Sequence, residues 1–130
     1  MPFGFQFKRR APGKGRTAKR VPGTMNKTEE RYEREVLIPL FQTQAVIWYG
    51  FEAMTFKLAD DLRYTPDFAV QLADGTMEFH EVKAGKKDGK VLCEDDALVK
   101  IKAAPVRFPF TFRMRWFSKP QNQWVERVFA

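Results

Sequence analysis

RYTPDFAVQLADGTMEFHEVKAG, residues 63–85, reads as two short strands joined by a tight turn at Asp74-Gly75. Strand interiors repel charge, yet this hairpin carries Asp67 at the start of one strand and Glu81 and Lys83 near the end of the other. The length of the turn decides what those side chains can do. With three loop residues, Ala73, Asp74 and Gly75, Gly75 takes the left-handed position of a type I turn with a bulge. Counting back then sets Asp67 opposite Glu81, and alternation puts Lys83 on the same face as Glu81. A two-residue turn at Asp74-Gly75 would pair Asp67 with Val82 and turn it to the other face.

Two carboxylates held that close repel each other unless a cation sits between them. Hard oxygen ligands suit Mg2+ or Mn2+, which keep several waters and also bind phosphate. Metal bound in this way activates water and neutralises charge building on a phosphate. A neighbouring lysine adds a fixed positive charge for that phosphate. The plainer alternative is a ribbon surface with a cross-strand ion pair between Lys83 and an acid.

Upstream, NKTEERYEREVLIPLF (26–41) predicts a helix. Asn26 or Thr28 caps it, glutamates fill its first turn, and Tyr32, Val36 and Leu37 form an apolar stripe. Pro39 is expected to end or kink it. AVIWYGFEAMTFKLA (45–59) reads as one or two strands, and DDLRY (60–64) as a turn leading into the next strand. Downstream, AGKKDGK (84–90) is a loop. CEDDALVKIKAAP (93–105) is a second helix that stops before Pro105, with Asp96 and Lys100 spaced as an i,i+4 pair. In FTFRMRWF (110–117), Phe110, Phe112, Met114 and Trp116 point one way and Thr111, Arg113 and Arg115 the other. QWVERVF (123–129) is a final strand paired with it as a hairpin. The order is arm, α, β, β, β, α, β, β: an α/β domain over residues 25–130 with a central mixed sheet.

The chain has 130 residues and a net charge of +7, which suits one domain. The charge is unevenly placed. Residues 1–24 hold Lys8, Arg9, Arg10, Lys14, Arg16, Lys19 and Arg20, several prolines and glycines, and no acid. That leaves 16 of the 23 basic residues to balance all 16 acids. The leader is expected to be a flexible basic arm suited to an anionic partner, most simply DNA. It lacks the apolar run of a signal peptide, and no segment approaches a membrane span. The single cysteine, Cys93, permits neither an intrachain disulfide nor a cysteine-rich zinc site, which fits a reducing cytoplasm.

YTPDF (64–68) with HEVKA (80–84) resembles the PD-(D/E)XK nuclease superfamily. MNKTE (25–29), EFHEVK (78–83) and EDDALVKIK (94–102) add a similarity to small phage and prophage endonucleases of the endonuclease I type, which resolve Holliday junctions. The resemblance spans about residues 24–117. It implies a restriction-endonuclease-like core of α-β-β-β-α-β order. It also implies an Mg2+- or Mn2+-dependent endonuclease acting on branched DNA, working as a homodimer in the cytoplasm, that of the host if the chain is phage-encoded. Asp67, Glu81 and Glu29 would bind metal and Lys83 would be the catalytic lysine. Glu30 and Glu33 are rivals for the helix acid. The loop KAGKKDGK (83–90) departs from the shorter KVKG-like pattern of such nucleases, which is expected to alter DNA contacts more than chemistry.

Other residues carry weaker signals. His80 precedes Glu81, so it faces away and is expected to be packed or hydrogen-bonded. Lys100 and Lys102 are candidate phosphate contacts, and Arg113 and Arg115 either line a DNA groove or form the polar face of an edge strand. Trp48, Trp116 and Trp124 read as packing rather than as base-stacking platforms. The alternative to an enzyme is a nucleic-acid-binding protein on a nuclease-like scaffold without catalysis.

Overall fold

A computed structural model describes residues 23–130. The basic residues expected to grip DNA from the arm, Lys8 to Arg20, lie outside the described residues. The described chain begins at Gly23, whose N–H donates to Glu52 at 3.2 Å.

Helix α1 (Lys27–Tyr32) runs through a π-helical turn (Glu33–Leu37) into α2 (Ile38–Gln42). Asn26 caps it in a reciprocal box: its side chain accepts from the Glu29 N–H at 2.8 Å, and Glu29 accepts from the Asn26 N–H at 2.9 Å. Pro39 does not end the helix. The Ile38 N–H bonds back to Glu33, five residues away, and this wider turn shifts carbonyls clear of the proline ring. Strand β1 (Val46–Phe51) follows. Next come β2 (Phe56–Ala59) and β3 (Leu62–Tyr64), which form their own two-stranded ribbon. Only Asp60 and Asp61 turn, so the expected turn over 60–64 is shorter and Leu62–Tyr64 is strand.

The deciding hairpin comprises β4 (Phe68–Leu72) and β5 (Met77–Gly85). Its loop has three residues. Leu72 donates to Thr76 at 2.8 Å, Gly75 donates to Leu72 at 2.9 Å, and Gly75 has φ 91°. Phe68 pairs with His80 and Gln71 with Met77, a register that carries Asp67 to Glu81. After a short β6 (Val91–Leu92) comes α3 (Asp95–Arg107), which continues through Pro105 rather than stopping before it. Burial of Ile101 and Ala104 holds that last turn against the sheet. Strands β7 (Thr111–Ser118) and β8 (Gln123–Phe129) close the chain.

The main sheet runs β1-β4-β5-β7-β8, with β6 against β5. All pairings are antiparallel except β5–β7, the parallel pair joined by α3. One face packs α3 and the β2–β3 ribbon through Phe56, Phe79, Ile101, Phe112 and Met114. The other packs the first helix through Tyr32, Leu37, Tyr49, Phe68 and Val70. Each fully buried aromatic contributes about 1.5–3 kcal/mol. Phe110, Phe112, Met114 and Trp116 share the first core, as their alternation predicts. No helix among the described residues is long and apolar enough to cross a membrane.

Two glycines are fixed by geometry. Gly75 supplies the positive φ of the loop. Gly85 lies so close to β7 that an added Cβ would sit 2.3 Å from the Phe117 carbonyl oxygen. Gly75→Ala is expected to cost about 1–2 kcal/mol through backbone strain. Gly85→Ala should cost more, because two strand backbones must part. Urea unfolding midpoints of the two variants test that ranking.

Candidate functional site

The site lies where β4 begins and β5 ends, beside the N-terminus of α1. Asp67 stands one residue before β4. Its side chain joins the strand pairing as an acceptor: Oδ2 accepts the Val82 N–H at 2.7 Å. Its backbone carbonyl accepts from Glu52 at 2.8 Å. Asp67 is thus held from two strands at once.

Glu81, opposite it, is held by two donors. Tyr64 on β3 donates to Oε1 at 2.9 Å, and the Lys83 amine lies 3.2 Å from Oε2. Glu29 reaches the same place from α1 and hydrogen-bonds the Asp67 carboxyl. Its rivals point elsewhere. Glu33 accepts from Tyr49 at 3.0 Å under β1, and Glu30 is half-buried on another side of the helix. The structure therefore brings Glu29, Asp67, Glu81 and Lys83 together. All three acids are buried.

Burial has consequences for charge. It pushes the Asp67 carboxyl well above its usual range, and the charges of Glu81 and Glu29 push it further. Burial also raises Glu81, against the pull of Lys83 and the Tyr64 hydroxyl. Lys83 is raised too: burial works against its charge, but Glu81 and Asp67 outweigh it, so the ammonium persists. This is a pocket of excess negative charge, with one lysine to offset several acids.

Among the described residues, no group of three or more His, Cys, Asp or Glu side chains is arranged to hold a metal ion by itself. Several carboxylate oxygens already have protein partners, namely the Asn26 and Val82 N–H groups and the Tyr64 hydroxyl. The donor set nevertheless fits a hard divalent cation of the Mg2+ kind, which needs only one or two carboxylates and keeps its waters. Burial raises Asp67 most, and the like charges of Glu81 and Glu29 that add to it are what such a cation relieves.

His80 faces away from the acids, as its position predicts. Its Nδ1 lies 2.8 Å from the Tyr32 hydroxyl and its Nε2 2.6 Å from Glu78. Burial lowers its pKa, so the ring is neutral, donating from Nε2 and accepting at Nδ1. Arg113 and Arg115 lie on β7, between β5 and β8, not on an edge strand. They bond Glu78, Glu126 and Tyr32 at 2.8–3.1 Å. Lys100 faces Asp96 at 3.9 Å across one helical turn, and Lys102 is exposed. Burial raises the Cys93 thiol away from the reactive thiolate.

Sequence reasoning missed Tyr64, whose hydroxyl anchors Glu81 from a strand that reads as a turn. It also missed a cleft of about 240 Å3 beside Lys83, lined by Lys27, Arg31, Lys119, Phe117 and Trp124. Those residues are scattered along the chain, so no local motif marks them.

No protein-family model matches the chain, and comparisons with curated proteins and with solved structures found no significant match.

The raised carboxyls set a pH dependence. In the unfolded chain Asp and Glu ionise near about 3.9 and 4.3. In the folded chain Asp67 and Glu81 hold protons to higher pH, so folding takes protons up. Their contribution to stability is present below the unfolded values and is lost as pH rises through the folded ones. Asp67→Asn keeps an acceptor for Val82 and offers Glu29 an N–H donor, so it lacks this loss. In EDTA, wild-type stability should fall relative to Asp67→Asn as pH rises from about 4 to 8, by roughly 1.4 kcal/mol for each tenfold by which folding tightens proton binding at Asp67. Urea titrations of both proteins across that range give the difference, and a difference constant with pH would show that Asp67 carries no displaced proton.

Proposed function

We propose that this protein is a metal-dependent DNA endonuclease of the PD-(D/E)XK type. The observation that carries the reading is the meeting of Asp67, Glu81, Glu29 and Lys83 at one buried end of the sheet. The element order supports it as well: the first helix, the antiparallel strands β1, β4 and β5, the crossover helix α3 and the parallel strand β7 follow the order expected of a restriction-endonuclease-like core, with the β2–β3 ribbon inserted between β1 and β4. Asp67 and Glu81 would hold Mg2+ or Mn2+, with Glu29 assisting. The metal, when bound, supplies an activated water and charge for the phosphate.

The chain's own residues do the rest. The Val82 N–H and the Tyr64 hydroxyl fix the two acids in place. Lys83 remains protonated and offsets charge that grows on the phosphate oxygens in the transition state. The cationic arm and the basic cleft hold the nucleic-acid backbone. Branched DNA such as a four-way junction is the preferred substrate in this reading, cut on two strands by a homodimer. A second reading, DNA binding without catalysis, is favoured by the lack of a ready-made three-ligand metal group among the described residues.

Incubation with four-way junction, flap, duplex and single-stranded DNA in Mg2+, Mn2+ or EDTA separates the two. Cleavage that needs metal is expected. Lys83→Ala should slow it by about 10²–10³ in kcat, the scale of losing one electrostatic stabiliser. Tyr64→Phe, which loosens Glu81 without removing a ligand, should fall between that variant and the wild type. Cleavage by none of these proteins would leave the binding reading.

The arm makes a separate prediction. Deleting residues 1–22 should weaken DNA binding and flatten the logarithmic salt slope by up to about 0.9 for each phosphate that the arm neutralises. Binding isotherms at several salt concentrations measure this, and an unchanged slope would assign the arm no phosphates.

A further inference from the structure

The cleft beside Lys83 is not needed to hold metal, yet it shares Lys83 with the acid site. Lys27 and Arg31 reach it from α1, Lys83 from β5, and Lys119 and Phe117 from the end of β7 and the turn after it, with Trp124 on β8. No acidic residue lines it. Arg31 is already engaged, by Glu35 at 2.9 Å and over the Phe117 ring at 4.0 Å. Lys27 and Lys119 have no ion-pair partner among the described residues. Two uncommitted ammonium groups, facing a wall free of carboxylates, call for an anion.

The aromatic wall narrows what that anion is. Phe117 and Trp124 meet edge to face at 5.7 Å, and both are half-exposed. The Trp124 Nε1–H donates to Glu35 at 3.0 Å, which fixes the ring. A free inorganic anion gains nothing from such a wall, whereas a nucleotide gains contacts for its base and sugar. The volume, about 240 Å3, is below that of drug-sized pockets and suits a single residue of a polymer. Lys83 belongs to both places. Its amine pairs with Glu81 and the same residue lines the cleft, so one side chain links the cleft to the acids.

We infer that the cleft binds one nucleotide of the DNA strand being cut, adjacent to the scissile phosphate. Its phosphate lies against Lys27 and Lys119 and its base or sugar against Trp124 and Phe117. The inference rests on the nuclease reading for the word "cut" but not for binding. The cleft selects unpaired or splayed DNA, because a stacked and paired base cannot reach an aromatic wall. It reads no sequence, since every base has a face to offer.

The test uses the full-length chain in EDTA, where nothing is cleaved, and a fluorescein-labelled oligothymidylate as probe. Lys27→Ala and Lys119→Ala are surface changes that leave the fold intact. Each should weaken binding several-fold and make the logarithmic salt slope shallower by about 0.7, the value for one phosphate of a single strand. Trp124→Phe should weaken binding by up to about tenfold and abolish most of the tryptophan quenching on binding. Thymidine monophosphate should compete only weakly, because it fills one subsite. Unchanged slopes in both lysine variants, with quenching retained in Trp124→Phe, would overturn the cleft assignment even if the wild type cleaves DNA. Competition by the mononucleotide equal to that of the oligonucleotide would overturn it too, in favour of a free-nucleotide site. If the slopes and quenching change as expected in a protein that cuts no DNA, the cleft stands and the nuclease reading alone fails.

Discussion

The register of one hairpin governs everything that follows in this protein. Three loop residues, ended by Gly75 at positive φ, set Asp67 against Glu81. One residue fewer would turn Asp67 to the opposite face and leave Glu81 with Lys83 as an ordinary ion pair. The hairpin is secured on both sides. Phe79 packs with Phe112 and Phe56 in one core, and Phe68 with Tyr32 and Tyr49 in the other. A slip by one residue would exchange these two sets, so hydrophobic burial enforces the placement of the acids.

That placement has a cost in the folded protein. Three buried acids and one lysine are destabilising unless protons or cations compensate. The protein meets part of the cost with directed donors: an N–H on Asp67, a hydroxyl and an ammonium on Glu81, and a cap N–H on Glu29. The rest appears as carboxyl groups that give up their protons late. Strain of this kind tends to collect where function requires a pre-set field. It also explains why geometry and chemistry point in different directions at this site. The oxygens are turned toward protein donors, while their charge calls for a cation.

The sequence makes much of this visible, for reasons that can be named. Asp74-Gly75 marks a turn through backbone sterics, which act locally. Asn26 or Thr28 ahead of a run of glutamates marks a helix start, also local. The alternation from Phe110 to Trp116 marks a buried strand face because side chains alternate whatever the partner. The misses are of another kind. Pro39 reads as a stop or a kink and Pro105 as a stop, but a π turn and tertiary packing carry the two helices through. Tyr64 reads as part of a turn because β3 has only three residues. Lys27, Lys119 and Trp124 meet only after β7 and β8 fold back past α1. Arg113 and Arg115 look like an exposed face because β8, whose pairing makes β7 internal, carries Glu126 to meet them.

The same two arginines explain how the helix acid is aimed. Tyr32, His80, Glu78, Arg113, Glu126 and Arg115 form a closed ring of hydrogen bonds across α1, β5, β7 and β8. Each donor in it has an acceptor once His80 carries its proton on Nε2, and its two carboxylates balance its two guanidinium groups. Such a ring has little tolerance for sliding, because a displaced member leaves a buried polar group unpaired at about 1–3 kcal/mol. Apolar packing alone would let α1 shift along the sheet at small cost. Tyr32 is three residues from Glu29, so fixing the tyrosine fixes the acid nearly one turn earlier. The polar ring on one face of β5 thus determines whether Glu29 reaches Asp67 at the end of the sheet, and His80, though distant in role from the acids, helps to assemble them.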